Sequence, residues 1–477
     1  MIDDKTELDS SRRTNNLMSL CLFAGIALRL ALFVVNPPTN AFDDHYRPIT
    51  LYMETGSVPD RDACWECYHP PAFYVSSAWV SQTALAMGAS SSEIEKLAQF
   101  LPCLYGILTL FILRAILLRL RLRESSLCIA FAILCFLPRH IYMSAIHSND
   151  TIAYLGVSAS ALLILRALDN GCRLRDILAL AVAMVVTALT KYTSMIVLPM
   201  AAASFGAAWW LRVGGSRQRV ASALAGVCLP AIVALALFAA PNIRDYGTAF
   251  PSNLELLQQD YLDSGRGTRD IDFFGLSPWR AIATPVLAPD NRDSMWTILW
   301  ARTWFDMEPR FLQYTDPATQ DWWAAYNIYL GGAEDDSWPG VYGLGVVTRV
   351  LGSTLIAAGI IPGILMLIGL MRCLVGRWSL LRPRNPLESA RLQMMPVLMF
   401  GVMAGSAFHS WKFPYTFTLK TVYILNGLPA FIVFVALGAS LLRKIPWAHR
   451  IIVGSTIFLC ALSTLHIARV VYVMINL

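Results

Sequence analysis

Apolar runs of about twenty residues, parted by short polar and basic segments, recur along this chain, and that is the length of helix needed to cross a bilayer core. The pattern predicts an all-α membrane protein with about eleven transmembrane helices, at 17–36, 97–118, 127–146, 151–168, 176–190, 192–211, 220–240, 342–371, 391–410, 418–442 and 451–475. The fifth and sixth runs are short and separated only by the turn around Lys191, which points to a tight hairpin.

Two longer polar segments interrupt the runs, from 37 to 96 and from 241 to 340. They divide the chain into an N-terminal transmembrane module (1–240) with a large first external loop (37–96), an external segment (241–340) and C-terminal transmembrane helices (341–477). The second segment carries Trp279, Trp296, Trp300, Trp304, Trp322, Trp323 and Trp338. It is too polar for lipid and too aromatic for a disordered linker. Residues Ser294 to Phe305 space their apolar and aromatic side chains as a helix does, so this part is expected to pack on the membrane domain. Anchoring in an interfacial aromatic belt accounts for the remaining tryptophans.

Composition agrees. The 477 residues are 56% hydrophobic and 15% charged, against about 25% charged in soluble domains. The net charge of +6 is no nucleic-acid signature, because the cations gather in short loops. Arg12 and Arg13 precede the first run. Arg119, Arg121 and Arg123 follow the second, and later clusters include Arg173 and Arg175, Arg217 and Arg219, Arg382 and Arg384, and Arg443 and Lys444. With eleven spans all of them fall on one side, and short Lys/Arg-rich loops stay in the cytoplasm. The N-terminus is therefore expected inside and the C-terminus outside. The stretch Pro70 to Met87 is apolar enough to suggest a twelfth span, but counting it would put the basic clusters outside. It is expected to lie in the interface. The first run has no evident small-residue cleavage site and reads as an anchor.

Most of the ten cysteines fall within apolar runs and act there as small apolar residues. Cys64 and Cys67 instead form Cys-Trp-Glu-Cys in the first external loop. No second pair exists to complete a metal site, so a local disulfide or two free thiols is the expectation.

Candidate chemistry clusters at the external ends of the spans. Asp43 and Asp44 stand just beyond the first run, followed by His45, Tyr46 and Arg47. One acid would suit a helix cap. Two adjacent acids at a membrane boundary suit a general base with a second carboxylate that binds a divalent cation or a sugar hydroxyl. His69 is held at the entry of the interfacial helix by Pro70 and Pro71, either as a packed surface histidine or as a site residue. Asn149 and Asp150 open the fourth span, as caps or as substrate contacts. Lys191, Lys412 and Lys420 lie at external ends, where short loops avoid cations; they either snorkel or bind an anion. Arg302 sits between Trp300 and Trp304.

These residues match a known pattern. The chain resembles the GT-C superfamily of polytopic glycosyltransferases, and in particular its protein O-mannosyltransferase and lipid A aminoarabinose transferase group. Phe42-Asp43-Asp44 is similar to that group's Phe-Asp-Glu motif, with Asp in place of the second Glu. Tyr52-Met53-Glu54-Thr55-Gly56-Ser57-Val58-Pro59 looks like the tract that follows it, and His69-Pro70-Pro71-Ala72-Phe73-Tyr74 resembles the recurring His-Pro-Pro-Leu-Tyr-Tyr. Leu189-Thr190-Lys191 looks like the Leu-Thr-Lys turn, and Lys420-x-x-Tyr423 like the Lys/Arg-x-x-Tyr segment. The motifs occur in the same order across most of the chain.

The resemblance implies a GT-C bundle that performs inverting sugar transfer, from a polyprenyl-phosphate donor to a lipid, glycan or protein acceptor on the extracytoplasmic face of an inner membrane. It implies Asp43 as the base. The superfamily includes metal-dependent and metal-independent members, so a divalent metal near Asp44 stays open and no other cofactor is implied. Charge logic suits the donor: the phosphodiester carries one negative charge, and the departing lipid phosphate about −1.5 to −2. Cations at that phosphate bind the transition state better than the ground state. Two alternatives are a lipid-linked sugar flippase and a polysaccharide polymerase or ligase. Spans nearly free of charge at mid-depth argue against the first.

Overall fold

The computed structural model of the chain describes residues 2–38, 44–120, 122–257, 271–283, 294–305, 345–375, 383–413 and 420–476. These residues are overwhelmingly helical, and no strand occurs among them. Within the described residues each predicted apolar run falls largely on helix. In chain order these are α1 (Ile2–Val35), then α2 (Arg47–Thr55) and α3 (Ala72–Ala86) of the first external loop, and α4 (Ser91–Leu118). Next come α5 (Glu124–Cys135) and α6 (Pro138–Met143), α7 (Asp150–Asp169), α8 (Leu174–Ala188) and α9 (Val197–Leu211). The long α10 (Arg217–Tyr246) leads to the external α11 (Asn253–Leu257), α12 (Pro278–Ala283) and α13 (Met295–Trp304). The C-terminal helices are α14 (Gly345–Ala358), α15 (Ile360–Val375), α16 (Pro386–Leu392), α17 (Met394–Lys412), α18 (Leu428–Leu442) and α19 (Pro446–Asn476).

Among the described residues nine helical stretches are long and apolar enough to span a membrane. The two other predicted spans are shorter: α5 has 12 residues and α8 has 15. The helices turn large apolar side chains outward, including Phe23, Val182, Leu237, Leu367, Phe408 and Ile457. A water-soluble surface does not tolerate that much exposed hydrocarbon, whereas lipid does. The protein is a multi-pass membrane protein built of helices, as the apolar runs predict.

The third predicted span, 127–146, is not one helix but two. Pro138 has no amide to donate and starts α6 at its first turn, so the ladder breaks after Cys135. Arg29 repairs the break from α1. Its Nη1 donates to the Cys135 carbonyl at 3.1 Å and to the Gly25 carbonyl at 2.7 Å, and its Nη2 to His140 Nδ1 at 2.6 Å. A guanidinium has no acceptor, so that ring nitrogen is the unprotonated one. Arg29 is completely buried, so the spans are less free of charge than the hydropathy pattern suggests. The ends of these helices near the first loop are also tied together. Lys96 Nζ on α4 donates to the last carbonyls of α1, at Phe33 and Asn36, and Gln99 Nε2 bonds the carbonyls of Asn36 and Ala145.

The closest helix pair is α15 with α18. A Cβ on Gly369 would strike the Phe434 carbonyl, and one on Gly438 the Leu365 carbonyl, so both positions need glycine for backbone approach. The helix expected within Ser294–Phe305 is α13, and it packs on the bundle as anticipated. Trp304 is fully buried and lies against Gly359, while Trp300 lies against Gly363. Trp304 fills the core, and Trp300 is partly buried beside it. Trp279 is 73% exposed. Trp322, Trp323 and Trp338 lie outside the described residues.

Helix α3 follows Pro70 and Pro71. It buries Phe73, Tyr74 and Ala78 against α2 and α4 and turns Trp79, Leu85 and Met87 outward. Its first amide, at Ala72, donates to the Leu189 carbonyl at 2.9 Å. The first external loop is thereby docked on the turn between α8 and α9, which positions the site.

Candidate active site

Five parts of the chain meet in one cavity at the end of the bundle where these loops gather. Helix α6 supplies Arg139 and Met143. The connection into α7 supplies Ser148 and Asp150. The hairpin turn supplies Lys191. The first external loop supplies His45, Glu66, Tyr68 and His69, and the lead-in to α18 supplies Lys420, Val422 and Tyr423.

Each is placed by local structure. The α5–α6 break lets Arg139 enter from an otherwise apolar span, 1% exposed. A one-turn 3₁₀ segment, Tyr192–Ile196, follows Lys191, whose extended backbone turns its side chain inward. Lys191 Nζ meets Asp150 Oδ1 at 2.6 Å, and both side chains are buried. Asp150 Oδ2 accepts from Ser148 Oγ at 2.8 Å. Lys191 Nζ also stands 5.6 Å from the Tyr423 ring centre.

On the opposite wall Glu66 Oε2 lies 3.1 Å from His69 Nε2 and 3.8 Å from His45 Nδ1. That His45 nitrogen is 2.9 Å from the Tyr74 hydroxyl. Cys64 and Cys67 are joined by a disulfide, with Cα atoms 5.0 Å apart, so Glu66 sits inside a closed four-residue loop. His147, packed against Phe73 and Tyr46, is pushed down to about 4 by burial and is neutral near pH 7.

Of the residues singled out in the sequence, His69, Asp150, Lys191, Lys420 and Tyr423 come together in the cavity. Asn149 is buried beside it and donates from Nδ2 to the Tyr74 hydroxyl at 3.4 Å, without lining it. Lys412 sits at the outer end of α17, partly exposed and ion-paired with Glu255. Burial would raise the Glu255 carboxyl, but hydrogen bonds from Lys412 and Ser252 outweigh it and hold it below the usual carboxylate range. Arg302 is buried on α13 and does not line the cavity. Asp44 is exposed, and its Oδ1 accepts from the amides of Tyr46 at 3.2 Å and Arg47 at 3.1 Å, a cap on the start of α2. Asp43 lies outside the described residues, two positions before His45. Among the described residues no group of three His, Cys, Asp or Glu is arranged to hold a metal ion.

Glu66, Arg139 and His45 were not singled out. Arg139 was detectable as a cation directly after a proline inside an apolar run. Glu66 was detectable as the one charge between two cysteines.

A second cavity of about 530 Å³ is lined in part by residues next in sequence to those of the first. It lies between α13, α15, α17 and the start of α18, and Trp300, Leu367, Met399, Leu428 and Phe431 give it an almost wholly apolar lining. Its rim reaches Ile424 and Leu425, directly after Tyr423 of the polar cavity.

No family model and no curated protein matches the chain by sequence. By structure it is similar to the Archaeoglobus fulgidus oligosaccharyltransferase. The complex of that protein with zinc and sulfate superposes with a TM-score of 0.52 at 13% identity, covering 93% of this chain and 53% of that one. The complex of the same protein, AglB, with an inhibitory peptide and a dolichol-phosphate gives 0.51 at 13% identity, covering 97% and 55%. The chain thus spans about half the length of these proteins. ArnT from Cupriavidus metallidurans bound to undecaprenyl phosphate covers 89% of this chain and 77% of its own at 14% identity, with a TM-score of 0.36, too loose a fit to carry an argument. The likeness is one of fold, that of the GT-C membrane glycosyltransferases.

Proposed function

We propose that the protein is an integral membrane glycosyltransferase that moves a sugar from a polyprenyl-phosphate donor to an acceptor on the extracytoplasmic face. The observation that carries this reading is the pairing of the two cavities: a buried polar one with Lys191, Lys420 and Arg139, opening beside a large apolar one. A lipid phosphate needs both. The isoprenoid tail takes the apolar cavity, and the phosphate sits against the cations. The dolichol-phosphate bound by AglB is a ligand of that chemistry.

In this reading the phosphodiester, with a single charge, meets Lys420, Arg139 and Lys191, the last of them held by Asp150. As the bond to the sugar breaks, the phosphate gains charge and the three cations stabilise it. Asp43 takes the proton from the acceptor hydroxyl, and an attack opposite the phosphate inverts the sugar carbon. Asp44 keeps its hold on the start of α2. His69 lines the sugar side, with Asn149 and Asp150 supporting it. Lys412 and Arg302 brace the external segment. The protein sits in the inner (plasma) membrane with its N-terminus in the cytoplasm and the site outside.

The buried Arg29 does not favour a transporter, because its three hydrogen bonds close within the bundle. Reconstitution into vesicles with a polyprenyl-phosphate sugar separates the readings. Transfer to an added acceptor is expected. Movement of the intact lipid between leaflets without transfer would replace the enzyme by a flippase. Asp43→Asn is expected to lower kcat about 10²- to 10⁴-fold, the usual contribution of a general base, with expression unchanged. Full activity in that variant would remove Asp43 from the mechanism.

A further inference from the structure

The Cys-Trp-Glu-Cys loop has no part in the mechanism above, yet it places a carboxylate in the cavity. Glu66 is 3% exposed, and a buried carboxylate persists only when it is paired. Its Oε2 lies 3.1 Å from His69 Nε2. We propose that Glu66 is a positioning residue of this site: its carboxylate orients His69 and keeps it protonated, and the Cys64–Cys67 disulfide holds Glu66 in place. The role in catalysis rests on the glycosyltransferase reading; the Glu66–His69 pairing itself does not.

The loop is built to be stiff. Between the bridged cysteines the Cys67 amide donates to the Cys64 carbonyl at 3.1 Å, and Cys67 is itself buried. On one side Arg61 Nε bonds Asn242 Oδ1 at 3.0 Å, and the Tyr246 hydroxyl donates to Asp62, which pins the loop to the outer end of α10. On the other side the Tyr192 hydroxyl donates to the Tyr68 carbonyl at 2.7 Å. A carboxylate on such a frame keeps one geometry, as a group that supports a reacting site must.

The electrostatics around His69 give Glu66 a task. From the cavity walls, Arg139 on α6, Lys420 before α18 and Lys191 at the hairpin turn all favour neutral imidazole. Asp150, the acid on α7, is spent on Lys191 at 2.6 Å. His45 stacks 6.1 Å away and competes for the same Glu66 oxygen. The phenols of Tyr68, at 4.0 Å between ring centres, and of Tyr192 and Tyr423 are uncharged near pH 7. Glu66 is thus the acid in hydrogen-bonding contact that can keep the imidazolium. Protonated, His69 keeps its Nε2–H on Glu66 and presents its second N–H and a positive charge to the donor sugar-phosphate. Neutral, it loses both the charge and one donor.

Two measurements on the purified full-length protein test this. The first needs no substrate: the titration of His69, followed by NMR of histidine-labelled protein and assigned with His69→Gln. Glu66→Gln is expected to lower its midpoint by about one pH unit or more. An unchanged midpoint would overturn the proposal. The second is sugar transfer as a function of pH. Glu66→Gln is expected to lose at least tenfold in kcat, with its alkaline limb shifted to lower pH, and Glu66→Asp to recover part of both. Cys64→Ser/Cys67→Ser, or wild type treated with a phosphine reductant, should lose activity in the same direction while still melting cooperatively. Wild-type kcat and pH profile in Glu66→Gln would overturn the catalytic part. Absence of transfer by the wild type at every pH would instead count against the function proposed above, and the NMR result would stand by itself.

Discussion

The buried Lys191–Asp150 pair shows how much a single side chain carries here. Removing one member of a buried ion pair strands the other charge and costs about 3–5 kcal/mol, whereas replacing both is often neutral. Lys191→Met is therefore expected to lower the melting temperature sharply, and Asp150→Asn in the same chain to restore most of the loss, as read by thermal unfolding in detergent. A double variant no more stable than Lys191→Met would mean that the pair is not a closed unit. His147 supplies a pH dependence. Its folded value of about 4 lies below the ordinary 6.5, so the unfolded chain binds more protons between these values. Its contribution is fully present above about pH 6.5 and is lost as pH falls toward 4, and His147→Leu should flatten stability across that window. The two adjacent acids should also separate. Asp44→Ser preserves a side-chain acceptor for the α2 amides and should retain activity, while Asp43→Asn should not.

Much of this residue-level site was legible because motifs at the span ends brought Lys191, Lys420, Tyr423, His69 and Asp150 to one side of the membrane, where short loops leave little room to diverge. Glu66 and Arg139 were missed for a physical reason. Hydropathy averages over windows, and one cation in a twenty-residue apolar run or one acid in a loop hardly changes the mean. Lys412 and Arg302 were grouped with the site because they are external cations, and proximity along the chain cannot show that Lys412 points to Glu255 instead.

At the scale of elements, the break between α5 and α6 is what puts Arg139 at the cavity. Pro138 signalled it, but the apolar run continued on both sides and read as one span. Pro138→Ala would allow the ladder to close and pull Arg139 from its place. The expected result is a rise in KM for the donor with little change in melting temperature. The contact of α15 with α18 depends on glycine in a way that composition does not reveal, since nothing in a single helix shows which face meets its partner. Gly369→Val would drive a side chain into the Phe434 backbone and should destabilise by a few kcal/mol, the range of overpacked cores. The helical spacing of Trp300 and Trp304 did point to packing on the bundle, but not to the glycines at 359 and 363 that leave room for them.

For the molecule as a whole, the eleven runs were readable because a bilayer demands length and apolarity that no soluble fold needs, although two of the resulting helices fall short of a full crossing. The arrangement of helices around one external cavity was not readable from the runs. It arises from packing between residues far apart in sequence, such as Tyr154 on α7, whose hydroxyl reaches the Val422 carbonyl at 3.1 Å. The same arrangement sets an apolar chamber near the charged one, and the proposed lipid-phosphate binding depends on that placement. Native mass spectrometry of the detergent-purified protein titrated with polyprenyl phosphate tests it most directly. The account predicts a bound lipid in the wild type and affinity at least tenfold weaker in both Lys420→Ala and Arg139→Gln. Equal binding by all three proteins, or none by the wild type, would contradict it.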